Sequence, residues 1–160
     1  MKLDSNLLNI ALFQPEIPQN TGNIGRTSVL TNSKLHLIKP LGFSIDDKQI
    51  KRCGLDYWPH VNLELHESYE DMREKYKDST FYFITTHGEN NYAEVEFKPG
   101  DFVIFGRESC GLPDYIRESD KERCIRVPMI DTTTRSLNLS NTVAIVAYEA
   151  LRQMGFPHMK

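Results

Sequence analysis

Three polar stretches of this chain carry side chains that could do chemistry. The first, "NTGNIGRT" (20–27), follows the apolar run "LLNIALFQ" and combines two glycines with an arginine and short polar residues. A glycine-bearing turn after a strand is where dinucleotide enzymes hold pyrophosphate, on the free N–H groups that open a helix. Here that fingerprint is incomplete. Gly22 and Gly25 supply the last two glycines of GxGxxG, and Asn20 stands where the first should be. The acidic residue expected about 20 positions on is missing, and Lys39-Pro40 occupies that region. Strand-then-helix context also disfavours an RNA-clamping GXXG loop. What remains is a tight turn into a helix, where Arg26 and exposed N–H groups would suit an anion. The plain alternative is that Asn20 or Thr21 caps the helix and the glycines permit close packing.

The second stretch, "FGRESCGLP" (105–113), comes straight after a buried-looking strand. Loops at the carboxyl ends of strands hold ligands in open α/β sheets. Gly106 would let a ligand approach the backbone, Gly111 permits a turn, and Pro113 suits a first helical position. Glu108 is a carboxylate with no evident local duty. Ser109-Cys110 lacks the G-x-S-x-G elbow and an obvious base. Taken singly, each of these residues fits an ordinary turn.

The third stretch is "RVPMIDTTTRSLNLSNT" (126–142). After Pro128 comes a polar loop, Asp131 to Arg135, and then Ser136, Asn138, Ser140 and Asn141 ahead of an apolar helix. That is several times the hydroxyl and amide one N-cap needs. Such groups must be satisfied by each other, by backbone or by a ligand. Here the functional reading leads.

The elements that would position these stretches are legible from apolar patterning. Short runs rich in Val, Ile and Phe at 8–14, 34–40, 61–67, 81–86, 101–106 and 124–128 read as strands. Several are nearly continuously apolar, as in strands covered on both faces. Helices are expected at about 20–32, 47–55, 68–77, 113–119 and 138–154, with Ser68 and Asp71 resembling a capping box. The alternation predicts an α/β fold, a mainly parallel sheet flanked by helices, as one domain over residues 1–160. In the last helix, "VAIVAYEAL" (143–151) is apolar almost all round. A one-sided surface helix would carry a polar face, so either the chain's own fold or a partner subunit should enclose it.

The 160 residues are 39% hydrophobic and 26% charged, the balance of a globular chain rather than a disordered one. Neither a secretory signal nor a membrane helix is expected. Three cysteines without a CxxC pair predict reduced thiols, and five histidines without Cys/His or HxxxH spacing predict no metal. A net charge of -3 argues against coating nucleic acid by charge alone. The charge is uneven, however: Arg26, Lys34, Lys39, Lys48, Lys51 and Arg52 face only Asp46 and Asp47 between residues 26 and 52. A local basic face on an acidic chain is one reading, and two ordinarily solvated faces is the other.

In order and spacing, "PQNTGNIGRT", "FGRESCGLP" and "RSLNLSN" resemble the three motifs of the SPOUT superfamily of RNA methyltransferases. The nearest branch is the small tRNA 2′-O-methyltransferases of the wobble ribose, the TrmL type, over about residues 8–157. The resemblance implies a C-terminal trefoil knot and a homodimer with the last helix in its interface. It implies S-adenosyl-L-methionine as cofactor, bound at Ile84, Thr85, Gly106, Val127, Met129, Ser136 and Leu137, with no metal. It also implies an anticodon stem-loop substrate, with a wobble cytidine or 5-modified uridine as acceptor, and a cytoplasmic location. Arg26, Glu108, Ser136 and Asn138 match the catalytic and site-ordering residues, and Asn20, Arg26 and Arg135 would meet RNA. The knot loop "MIDTTTRS" varies in length within the resemblance, which leaves its individual contacts open. Methylation of another tRNA position or of ribosomal RNA, and a non-catalytic RNA-binding role, are the alternatives within the same fold. An oxidoreductase fails on the missing glycine and acid.

Overall fold

The computed structural model describes residues 6–130 and 136–160. Seven strands form one sheet: β1 (Leu8–Phe13), β2 (Ser33–Ile38), β3 (Leu63–His66), β4 (Phe81–Ile84), β5 (Asn90–Asn91), β6 (Phe102–Phe105) and β7 (Cys124–Arg126). Their order is β3-β2-β1-β6-β4-β7-β5 and every pairing is parallel. Five α-helices connect them: α1 (Pro18–Leu30), α2 (Lys48–Gly54), α3 (Tyr69–Lys75), α4 (Asp114–Ser119) and α5 (Leu139–Gln153). Short 3₁₀ turns at Leu55–His60 and Lys121–Arg123 complete the connections.

The apolar runs are continuous because both faces of the sheet are covered. On one face Leu8, Ile10 and Leu12 of β1 pack with Ile24 of α1 and with Val143, Val146 and Ala147 of α5. On the other, Ala11 and Phe13 pack with Tyr69 and Met72 of α3 and Ile116 of α4. Each such Leu, Ile or Phe removed from water contributes roughly 1.5–3 kcal/mol. The two-residue β5 has no apolar run and leaves no strand signal in the sequence. Ser68 caps α3 as expected, its hydroxyl accepting the Asp71 N–H at 3.0 Å.

Four expectations are corrected. Helix α1 begins at Pro18, so "NTGNIGRT" is helix rather than a tight turn, and Asn20 and Thr21 lie in its first turns instead of capping it. Its glycines serve packing: a Cβ on Gly22 would lie 2.6 Å from the Ile50 carbonyl oxygen, and one on Gly25 would lie 2.8 Å from the Trp58 ring. Pro113 sits at the N-cap of α4, one residue before the helix. Finally, among the described residues α5 is not buried on two sides. Val143, Val146, Ala147, Ala150 and Leu151 form a single buried stripe, while Tyr148 remains 43% exposed. Of the loop expected to be knotted, 129–136, residues 131–135 with Arg135 among them lie outside the described residues. Among the described residues no helix is long and apolar enough to cross a membrane.

Candidate active site

The strand order reverses beside β1: β2 and β3 lie to one side, and β6, β4, β7 and β5 to the other. Such a switch point opens a crevice at the carboxyl ends of the strands. Here the loops after β1 and β6 meet and clasp each other. The Glu108 carboxylate accepts the Glu16 N–H at 2.8 Å and the Ile17 N–H at 2.9 Å. In return the Glu16 carboxylate accepts the Ser109 N–H and hydroxyl, each at 2.9 Å. Those two donors hold the Glu16 carboxyl below its ordinary value, with Arg107 adding to the effect. Helix α1 has no side-chain cap of its own. Glu108 supplies one from 92 residues away, placing negative charge where N–H groups and the helix dipole favour it.

The clasp extends to the third motif. The Asn20 amide donates to Glu108 at 3.3 Å, and its oxygen accepts from the Asn138 amide at 3.1 Å. The Asn138 oxygen caps α5 by accepting the Ser140 and Asn141 N–H groups. One hydrogen-bonded line therefore runs through all three polar stretches: Glu108, Asn20, Asn138. Of the polar side chains ahead of α5, those of Asn138 and Ser140 are satisfied by this line and by the cap.

Around the line lies a cleft of about 1070 Å³. Ile84 and Thr85 end β4 on one wall, Gly106 and Glu108 follow β6, and Val127 and Met129 follow β7. Ser136, Leu137 and Asn138 close it from the start of α5, and Asn20 stands at its rim. The size matches the upper range of small-ligand sites, roughly 300–1,000 Å³. Its walls mix apolar side chains such as Ile84, Val127 and Leu137 with polar groups, which suits a ligand of mixed polarity such as a nucleoside.

Gly106 lines the cleft and also serves packing. A Cβ there would lie 2.3 Å from the backbone of both Gly111 and Leu112. The loop folds back on itself, with paired backbone bonds between Arg107 and Gly111, and it is this loop that needs the glycine. Gly111 makes the reversal at φ +69, a conformation open to glycine.

Arg26 does not line the cleft. It is exposed on α1, its guanidinium over the Tyr57 ring at 5.4 Å. Six residues of helix separate it from Asn20, about 9 Å along the axis. Glu16 and Tyr57 escaped the sequence reading, and Ser109 was weighed there only as a nucleophile. Only the fold shows which loop Glu16 grips.

A second cluster lies on β2 and β3, under the end of α3. His36, His66 and Glu64 bring ligand atoms within 4.8 Å of one another. Their spacing of 30 residues across parallel strands gives no local motif. The Asn9 oxygen can only accept, so His36 Nε2 donates to it and His36 Nδ1 accepts from His66 Nε2, each at 2.9 Å. Glu64 already holds the Lys34 and Lys75 ammonium groups at 2.9 and 3.1 Å. Two cations at the carboxylate oppose a dication there, and the cluster is a hydrogen-bonded strut.

A sheet of this topology, with a clasped cleft at its switch point, is the architecture of a family of RNA-modifying enzymes. The chain belongs to the SpoU rRNA Methylase family, whose profile matches residues 7–148. It is 45% identical over 151 residues to the tRNA (cytidine(34)-2'-O)-methyltransferase of Methylovorus glucosotrophus (strain SIP3-4), covering 94% of this chain and 97% of that one. A Bacillus subtilis (strain 168) protein bearing the same name provisionally is 51% identical over 156 residues, 96% of this chain and 97% of its own. A solved structure described as giving insight into "the 2-OH methylation of C/U34 on tRNA" is 41% identical. It has a TM-score of 0.88 and covers 94% of this chain and 98% of that one.

Proposed function

We propose that the protein transfers a methyl group from S-adenosyl-L-methionine to the ribose 2′-hydroxyl of the wobble nucleotide in a tRNA anticodon loop, a cytidine or 5-modified uridine. The observation that carries this reading is the cleft at the ends of β4, β6 and β7, closed by all three polar stretches. Ile84, Thr85, Val127, Met129, Ser136 and Leu137 would hold the cofactor, which supplies an electrophilic methyl group on a sulfonium.

The acceptor hydroxyl must be aligned and must lose its proton. The described carboxylates of the cleft are already committed. Both oxygens of Glu108 accept from the opening of α1, and Asp114 pairs with Arg117. Glu108, Asn20 and Asn138 are thus positioning residues that fix the cleft mouth. Arg26 stays protonated and is no base. It grips the phosphate beside the acceptor and stabilises the developing alkoxide, and a phosphate oxygen or water takes the proton.

Arg26 lies outside its own cleft, so we assign it to the cleft of a second subunit. The half-exposed Tyr148 on the outer side of α5 would be covered in that homodimer. Arg135 would contact the RNA, whereas Asn20, buried and bonded to Glu108 and Asn138, acts on it only by positioning, and the enzyme works in the cytoplasm, where its substrate is.

Purified protein should transfer labelled methyl groups to tRNA and not to ribosomal RNA; robust transfer to ribosomal RNA alone would refute the substrate. Arg26→Ala should keep cofactor binding and lose transfer. Leu137→Glu, in the cleft, should lose both. When these two inactive variants exchange subunits, a cross-subunit site recovers, because one cleft is intact and faces an intact Arg26. Silence after verified exchange would refute the cross-subunit assignment alone.

A further inference from the structure

Helix α2 carries a basic face that the chemistry so far leaves unused. Lys48, Lys51 and Arg52 recur at i, i+3 and i+4, so they share one side of the helix, and all three are exposed. Among the described residues none of them forms an ion pair, whereas Lys34, Lys39, Lys75, Lys77, Arg117 and Arg152 each hold a carboxylate. The helix dipole accounts for Lys51 and Arg52 in the last turn. It does not account for Lys48 at the first position, where a cation is disfavoured. Asp47 accepts the Gln49 N–H at 2.7 Å at the helix start, and among the described residues neither it nor Asp46 nor Asp56 forms an ion pair with these three.

The same helix is brought to α1 by the first polar stretch. Gly22 has no side chain, so α2 approaches until the Gly22 Cα faces the Ile50 carbonyl, Cys53 and Gly54. The 3₁₀ turn after α2 then lays Tyr57 beneath Arg26. Lys48, Lys51 and Arg52 on α2 and Arg26 on α1 thus stand on packed neighbouring elements of an otherwise acidic chain.

We propose that Lys48, Lys51 and Arg52 form, with Arg26, a strip that binds the phosphodiester backbone of the tRNA flanking the acceptor nucleotide. This rests on the tRNA reading given above. Phosphate contacts of this kind fix register and orientation without reading sequence, and this chain would need them because its net charge of -3 supplies no general attraction. Gly22 is, on this account, a residue that positions the strip.

The test uses the full chain with Lys48→Gln, Lys51→Gln and Arg52→Gln together, since glutamine keeps helix propensity. Binding of an unmodified tRNA transcript is measured over a salt series, beside cofactor calorimetry and thermal unfolding. Cofactor affinity and melting should be unchanged. Affinity for tRNA should fall about tenfold or more, and the slope of log K against log[salt] should become shallower by about two to three, roughly one for each phosphate no longer neutralised. If the parent methylates tRNA and the triple variant binds it with the parent's affinity and slope, the strip is refuted. Weaker binding with an unchanged slope also refutes it, because the three side chains were then not neutralising phosphates. A parent that does not methylate tRNA refutes the enzymatic reading instead. Lys48→Gln alone, which removes a charge unfavourable to the helix, should still lower the slope by about one.

Discussion

Glu108 decides more at the scale of single residues than any side chain with an evident chemical role. Its two oxygens replace the missing cap of α1 and fix the mouth of the cleft. Glu108→Gln removes the charge and presents an amide to an N–H. The loss should cost about 1 kcal/mol, read as a melting point lower by about 2–4 °C in a chain of this size, with weaker cofactor binding. Unaltered stability would contradict the capping role. The strut on β2 and β3 makes a separate prediction. Burial, then the neighbouring His66 and Lys34, lower the His36 pKa from 6.5 to about 3. An unfolded chain takes up that proton near pH 6.5 and the folded chain resists until about 3, so stability is full above that window and falls as pH drops through it. Glu64 adds to the fall at lower pH. Burial would raise its carboxyl, but Lys34, Tyr76 and Lys75 outweigh it and hold the pKa at about 2, against 4.5 unperturbed. Its contribution is present above 4.5 and lost towards 2. Urea unfolding in steps from neutral to mildly acid buffer should show this loss, and His36→Gln should flatten its upper part. Parallel pH dependences for parent and variant would contradict the assignment.

Elements whose signal is local were legible in the sequence, and those fixed by remote partners were not. The strands announced themselves because an apolar run covered on both faces needs no outside information. Ser68 marked the start of α3 for the same reason. The start of α1 was misread because its cap arrives from the loop after β6, 92 residues on. The ring of cleft residues came from the resemblance, not from residue chemistry, since backbone at strand ends leaves no polar fingerprint. The two histidines of the strut and the Glu16–Ser109 grip left no spacing to find. Gly106 has a packing role that the sequence did not show. Gly106→Ala should lower stability and cofactor binding together, because its Cβ meets Gly111 and Leu112 backbone at 2.3 Å. Gly111→Ala has open space but the wrong φ, and should cost about 1 kcal/mol with binding less affected. Loss of binding at Gly106→Ala with full stability would restore the direct-approach reading.

At the scale of the whole molecule, the two ends of the chain meet at one cleft while Arg26 stands outside it. This division makes sense of a half-exposed α5: the surface that the chain leaves uncovered is the one a second copy would use. Tyr148→Asp should shift the protein to monomer in sedimentation at micromolar concentration, leaving cofactor binding in place and abolishing methyl transfer. A fully active monomer would contradict the shared site. The central claim, transfer to one ribose hydroxyl, has a direct readout. A 2′-O-methyl group blocks alkaline cleavage of the adjoining phosphodiester, so end-labelled tRNA treated with the protein and S-adenosyl-L-methionine should show a single gap in its alkaline ladder. The account predicts that gap after the wobble nucleotide, absent without cofactor and absent with Arg26→Ala. A gap elsewhere in the tRNA, or a methylated tRNA with a complete ladder, would contradict it.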